Sequence, residues 1–487
     1  MHEQPARRRK SSVTSKAERV RGVAVVPLLL AFAVIARAGI SDEQIHQINQ
    51  DVRMVLQRTE TPGASILAIR DGRVIYRKAF GLRDLERRLS ARMDTHYEIG
   101  SITKQFTAAA ILQLRDAAKL NIDEKVSAYL PDVPHANEVT LRQLLTHTSG
   151  ISDYFGLKSD DEFTKPTDFA EIMKLVADKP LDFAPGSRAS YSNTGYLILG
   201  RIIEVTSHES YHQYRLEHLL KPAGMTQSYI VPEEGSLATM ARGYRRVNGK
   251  LEPGLTIHES YSWSAGDIVS TVEDVEKWNE ALASGRVVPK TDYALMITPQ
   301  IATGGEDTGY GFGLFIDKVN GQPRIGHTGG SFGFTAANFY FPQQKLRIIV
   351  LTNNVDAPEP GEIISNAIFD DLYPELARAA MRPAPDEDVN VTAKARAAFT
   401  ALERGEDDGN IFSARLEAKM KAGLAQRMAQ KFGSYGAATA FVFKGRQVAE
   451  GKRWFDYLIE FGPGSSLKFS AAMDDEGRVT SLAFDRF

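Results

Sequence analysis

Ser101 is followed three residues later by Lys104 at the head of an apolar run, Tyr97-Glu98-Ile99-Gly100-Ser101-Ile102-Thr103-Lys104-Gln105-Phe106. On a helix, positions i and i+3 share a face, so the lysine amine is expected beside the serine hydroxyl. Serine is a weak nucleophile until an adjacent base activates it, and lysine supplies one within a single turn. The pair alone is a weak signal. Ser465-Ser466-Leu467-Lys468 repeats the spacing after Gly462-Pro463-Gly464, at the mouth of an alternating stretch, where it reads as the end of a hairpin.

Two further segments carry complementary chemistry. In Ala189-Ser190-Tyr191-Ser192-Asn193-Thr194, a phenol and an amide precede a helix with Leu197, Ile198, Ile202 and Ile203 on its buried side. A neighbouring ammonium favours phenolate, so Tyr191 is expected to be poised by Lys104 as proton acceptor for Ser101, with Asn193 adding an amide dipole. Gly326-His327-Thr328-Gly329-Gly330 reads as a strand whose glycines let another backbone come close. It offers an imidazole, a hydroxyl and the Gly330 N–H, which can pair with the Ser101 N–H as an oxyanion hole.

Several elements must position these groups. Asp42 to Arg58 has helical spacing. Ser65–Arg70 and Arg73–Tyr76 read as strands about the tight turn Asp71-Gly72. The Ser101 helix is expected to run to about Leu120. Leu141–Gly150 reads as a short helix with a glycine stop, and helices and loops follow to about Ala283. Strands then recur near Arg324–Gly329, Phe334–Tyr340 and Arg347–Asn353, before a helix near Glu362–Tyr373. Strands at both ends of a helical insert predict one antiparallel sheet built from two chain ends. After Arg382-Pro383-Ala384-Pro385-Asp386, two helical stretches precede alternating segments through Phe441, Phe455, Phe469 and Phe484. The expected division is 1–38 as signal peptide or anchor, 39–377 as the main domain, 378–390 as linker and 391–487 as a small α+β domain.

The chain is 487 residues long, 43% hydrophobic and 25% charged, as for an ordinary globular protein. Residues 1–38 hold eight Lys and Arg against Glu3 and Glu18, leaving the remainder of a chain of formal charge −2 mildly acidic. A nucleic-acid partner is disfavoured. The same 38 residues have a basic start, an apolar run from Gly22 to Ile35 and a small-x-small Ala36-Arg37-Ala38, the pattern of an export signal. An uncleaved membrane anchor is the alternative, and either predicts a periplasmic or secreted body. Without cysteine there are no disulfides and no thiol nucleophile.

With its three motifs in place, the chain resembles the serine β-lactamase and penicillin-binding-protein superfamily over about residues 42–375. The branch is the one with Ser-x-x-Lys, Tyr-x-Asn and His/Lys-Thr-Gly, which holds class C β-lactamases, certain D-Ala-D-Ala carboxypeptidases, D-aminopeptidases and esterases. Leu144-Leu145-Thr146-His147-Thr148-Ser149-Gly150, Phe183-Ala184-Pro185-Gly186 and Gly309-Tyr310-Gly311-Phe312-Gly313 extend the likeness. The resemblance implies an α/β fold of the β-lactamase/transpeptidase type, with an antiparallel sheet and a helical subdomain. It implies Ser101 as the acylated nucleophile, Lys104 and Tyr191 as its activators and Asn193 as a substrate-amide contact. His327, Thr328, Gly329 and Gly330 form the edge-strand side, and no cofactor or metal is implied. Class C enzymes carry lysine where His327 stands, which disfavours efficient β-lactam hydrolysis. The expected function is an exported serine hydrolase acting on an ester or amide of a small molecule or peptide, of esterase or D-amino-acid peptidase type, with a β-lactamase proper as the alternative. The C-terminal module bears a slight resemblance to cone-shaped domains of the nuclear-transport-factor-2-like kind.

Rival readings are weaker. His208-Glu209-Ser210-Tyr211-His212 matches a zinc motif literally, but that motif needs both histidines on one helix. Ser210 with Gln213 instead marks a new helix start. His147 is expected to tie backbone together rather than transfer protons. A non-catalytic wall-binding or sensor protein is the reading from another class, and no motif favours it.

Overall fold

The computed structural model describes residues 39–487 except 231–237, 356–358, 386, 408–409, 450 and 487. The expected export signal at 1–38 lies outside the described residues.

The main sheet is antiparallel throughout. Its strands are β1 (Gly63–Arg70), β2 (Arg73–Asp84), β3 (Leu89–Ser90), β4 (Phe315–Val319), β5 (Gln322–Ser331), β6 (Phe334–Phe341) and β7 (Leu346–Thr352). They lie in the order β3-β2-β1-β7-β6-β5-β4, so the two ends of this part of the chain meet at the centre, where Ser65 pairs with Leu351 and Ala68 with Ile348. Asp71 and Gly72 both take positive φ, 52° and 71°, as a two-residue turn between β1 and β2 requires.

Side chains alternate across a strand, and β1 is buried on both faces. Ala64, Ile66 and Ala68 pack under α1 (Asp42–Arg58) and the helix Pro360–Leu372. Leu67 and Ile69 face the larger helical core around Phe106, Ile111 and Trp278. Burial of this kind stabilises by about 25 cal/mol per Å² of apolar surface. The central helix α2 (Thr103–Asp116) stops four residues before the expected Leu120, because Ala118 takes a left-handed φ of 53°. The edge strand β4 was not apparent in the sequence, its burial pattern being mostly intermediate rather than alternating.

Beyond the sheet, Pro374–Ala380 is helical and the next helix is Val389–Arg404, so the connecting stretch spans 381–388. Four antiparallel strands follow, Ala440–Ala449, Lys452–Glu460, Ser466–Met473 and Val479–Arg486, paired in chain order. Ser466, from the second Ser-x-x-Lys, opens the third of these. Phe399, Phe441, Tyr457 and Phe469 form the core of this module, separate from the two cores of the main sheet. It docks through its 461–464 turn: Arg58 Nη1 donates to the Phe461 carbonyl at 2.7 Å, and a Cβ on Gly464 would fall 2.1 Å from the Ile363 carbonyl. Among the described residues, no helix is long and apolar enough to cross a membrane.

Candidate active site

Ser101 lies in a 3-10 turn, Gly100–Ile102, that runs directly into α2. Lys104 is one turn on and fully buried, with 0% exposure. Its Nζ donates to Ser101 Oγ at 3.0 Å, to Asn193 Oδ1 at 2.8 Å and to the Ala265 carbonyl at 2.9 Å. The last acceptor exists because the helix Glu259–Gly266 is broken at Trp263, whose φ of 28° and ψ of −124° leave helical space. The break turns the Ser264 and Ala265 carbonyls toward α2, where Thr107 Oγ1 and Lys104 Nζ take them up. Such unfavourable backbone is sustained by its surroundings, often at functional sites.

Burial lowers the Lys104 pKa to about 7, against the opposing pull of the Asp153 carboxylate. Asp153 also fixes Asn193, accepting from its backbone N–H and from Nδ2, both at 3.1 Å. With Oδ1 held by Lys104, the remaining donor of Asn193 is its second amide hydrogen.

Tyr191 precedes the helix Asn193–Ser207, as the sequence indicated. Desolvation raises its pKa well above 10, against the opposing pull of Ser101. Lys104 Nζ sits 4.9 Å from the centroid of the Tyr191 ring, so the amine lies against the ring. The shifts run against the phenolate expectation: burial pushes Lys104 toward its neutral amine, and Tyr191, though 37% exposed, is pushed toward its neutral phenol. His147 holds this segment. Its Nδ1 accepts from Ser192 N–H at 3.1 Å and its carbonyl from Ser190 N–H at 2.9 Å, while its ring packs 4.3 Å from that of Tyr191. Burial pushes the His147 pKa well down, keeping the imidazole neutral.

β5 closes the site from the sheet side. A Cβ on Gly329 would fall 1.9 Å from the Ile99 carbonyl, and one on Gly100 would fall 2.5 Å from the Gly330 carbonyl and 2.7 Å from the Gly330 nitrogen. Only glycines let the two backbones come this near, which brings the Gly330 N–H to the Ser101 turn. Ser331 Oγ donates to the Glu98 carboxyl, buried and raised to about 7 by desolvation, which ties β5 to the strand leading into Ser101. His327 is only 1% exposed. Its Nε2 engages the Tyr310 hydroxyl at 2.9 Å and its Nδ1 the Thr328 carbonyl, so both ring nitrogens are committed within the protein instead of being offered outward.

Two cavities meet at Ser101 and Gly330. One, of about 450 Å³, is bounded by Tyr154, Phe155, Asn193, Ile257 and Phe332. The other, of about 440 Å³, is bounded by Tyr191, Phe315, Thr328 and a group of acidic side chains.

A family model described as Beta-lactamase matches residues 48–373, about two thirds of the chain and all of this site. The chain belongs to the Beta-lactamase family. It is a serine hydrolase of the wider β-lactamase and penicillin-binding-protein superfamily. PbpX of Bacillus subtilis (strain 168), whose name classes it provisionally with the penicillin-binding proteins, is 29% identical over 337 residues, covering 69% of this chain and 82% of that one. The octameric penicillin-binding protein homologue from Pyrococcus abyssi superposes with a TM-score of 0.60 at 25% identity, over 91% of this chain and 98% of that one. A D-stereospecific amidohydrolase from Streptomyces sp. gives 0.57 at 25% identity, over 66% and 98%.

Within this Beta-lactamase family chain, the sequence reading missed Asp153, Ala265, Tyr310 and Glu98 as parts of the site. Asp153 and Tyr310 stood inside or beside the quoted family segments and were the most findable. The Ala265 carbonyl left no signal, since its role depends on a backbone break. His208 caps the helix Asn193–Ser207 in left-handed geometry at φ 65°, and His212 lies on the next helix, after Ser210 as N-cap. The two histidines therefore do not share one helix.

Proposed function

We propose that this family member is an exported acyl-transfer hydrolase of esterase or D-amino-acid peptidase type, working through an acyl-enzyme on Ser101. The Lys104 amine takes the Ser101 proton as the Oγ–acyl carbon bond forms. The electron pair pushed onto the carbonyl oxygen is received by the N–H groups of Ser101 and Gly330. When that pair returns, the bond to the leaving oxygen or nitrogen breaks. The leaving atom takes a proton from the Tyr191 hydroxyl, which regains one from Lys104. Water then repeats the sequence, with Lys104 as base, and frees the acid.

The observation that carries this reading is the 3.0 Å contact between Ser101 Oγ and a fully buried lysine with a pKa of about 7. A base is most useful when its pKa lies near the working pH. The engaged nitrogens of His327 support an ester or amide over a β-lactam, since the place of the class C lysine is taken by an imidazole bonded within the protein. The amidohydrolase likeness supports amides of D-amino acids among the candidates. The basic, then apolar, residues before Gly39 support export.

The test is labelling of the purified protein with a fluorophosphonate, followed by turnover of p-nitrophenyl esters, nitrocefin and D-Ala-terminated peptides. The label should fall on Ser101 and vanish in Ser101→Ala, with ester or peptide turnover exceeding that of nitrocefin. Labelling and turnover that persist in Ser101→Ala would refute the assignment.

A further inference from the structure

The 450 Å³ cavity beside Ser101 has two kinds of lining. Ser101, Asn193 and Gly330 bring the reacting groups to it, and Tyr154, Phe155, Ile257 and Phe332 supply apolar wall. Tyr191, which protonates the departing atom in the acyl-enzyme reading above, lines the 440 Å³ cavity instead. Resting on that reading, the leaving group belongs on the Tyr191 side and the acyl group beside Asn193, the expected amide contact.

The apolar wall is built in advance of any substrate. Phe155 and Phe163 stack with centroids 4.5 Å apart and rings 19° from parallel. Phe163 also lies 5.6 Å from Phe332 and meets Tyr261 edge-on at 5.0 Å. Phe163 is 2% exposed, so it backs the two rings that are only partly buried, Phe155 and Phe332. Those two lie 6.1 Å apart and 29° from parallel. Their backbones are pinned as well. Asp153, which holds Asn193, accepts the Phe155 N–H at 3.4 Å, so one carboxylate sets both the amide contact and the ring beside it. Phe332 sits in the β5–β6 turn, where a Cβ on Gly254 would fall 2.1 Å from the Phe332 carbonyl and one on Gly333 would fall 2.6 Å from the Gly243 Cα.

Two arginines share the lining, and both are paired with carboxylates: Arg245 Nη1 donates to Asp160 at 3.0 Å, and Arg246 Nη2 lies 3.0 Å from Glu60 Oε2. A cavity of this size suits a small-molecule group. Rings already fixed in place hold such a group without a further ordering cost, and aromatic faces favour another ring beyond the area they bury.

We infer that the cavity walled by Phe155 and Phe332 selects acyl groups that carry an aromatic ring over short aliphatic or carboxylate-bearing ones. In a peptide ending in D-Ala, the acyl group is the residue before the last, and the terminal D-Ala with its carboxylate leaves on the Tyr191 side.

Three p-nitrophenyl esters test this on the full chain, with the acyl groups 3-phenylpropanoyl, butanoyl and adipoyl, the last with its far carboxylate free. The leaving group is constant, and the first two differ only by the phenyl ring. kcat/KM should favour 3-phenylpropanoyl over butanoyl by about thirtyfold, as expected for burying a ring, with adipoyl no better than butanoyl. Phe332→Ala should cut the phenylpropanoyl-to-butanoyl ratio by about fivefold. A change that only loosened the fold would lower both esters together and leave the ratio where it was, which would count against the inference. The wild-type series decides even where the variant does not fold. A chain that is labelled on Ser101 yet shows no phenyl preference, turns over the adipoyl ester best, or turns over none of the three overturns the acyl-pocket inference alone. Absence of both labelling and turnover would remove the acyl-enzyme reading beneath it.

Discussion

Lys104 Nζ lies 3.0 Å from Ser101 Oγ, and the lysine has no surface left in water. The spacing puts the two groups on one helical face. The burial makes the lysine a base, because desolvation penalises the ammonium and brings its pKa to about 7.

The fraction of free Lys104 amine grows as pH rises through 7, so kcat/KM for a neutral ester should rise with pH and level off above an apparent pKa near 7. The sign follows from the neutral form being the active one: activity is lost as pH falls. Lys104→Arg, which stays protonated, should abolish this limb and lower kcat by about 10²–10⁴. A pH–rate profile of both proteins checks this; a limb surviving in the variant would assign it to another group.

Asp153 raises the Lys104 pKa against the desolvation that lowers it. Asp153→Asn removes the negative charge but keeps an acceptor for Asn193. The rising limb should therefore move to lower pH, by up to about one unit, with a smaller loss of kcat than in Lys104→Arg. The same pH–rate measurement decides, and a shift to higher pH would contradict the electrostatic account.

Gly329 faces the Ile99 carbonyl so closely that a Cβ would overlap it at 1.9 Å. Gly329→Ala must push β5 away from the Ser101 turn and misplace the Gly330 N–H. The expected result is a drop of about 10²–10³ in kcat together with a stability loss of about 1–3 kcal/mol from overpacking. Thermal melts beside initial rates check both, and near-normal kcat would show that the strand does not set the oxyanion donors.

The sequence pattern conveyed much of the fold. β1, β6 and β7 announce themselves through runs of Val, Ile, Leu, Ala and Phe, since a strand buried on both faces is apolar at nearly every position. Asp71-Gly72 fixed one hairpin through positive φ. The C-terminal helices and the four strands through Phe441, Phe455, Phe469 and Phe484 were equally plain, because each strand packs an aromatic against one core. Less legible were β4, whose exposure does not alternate, and the end of α2, where Ala118 leaves helical geometry with no proline or glycine to mark it.

Local chemistry by itself determined that Ser101 and Lys104 share a helical face, that Tyr191 and Asn193 precede a helix, and that Gly329 and Gly330 permit close backbone approach. These follow from period, side-chain type and the absence of a Cβ, all properties of a few consecutive residues. Only the tertiary structure decided that Lys104 is dry, that His327 bonds inward and that two cavities meet at Ser101. Those facts depend on how much water remains and which distant groups stand nearby, and both are set by chain segments tens to hundreds of residues apart.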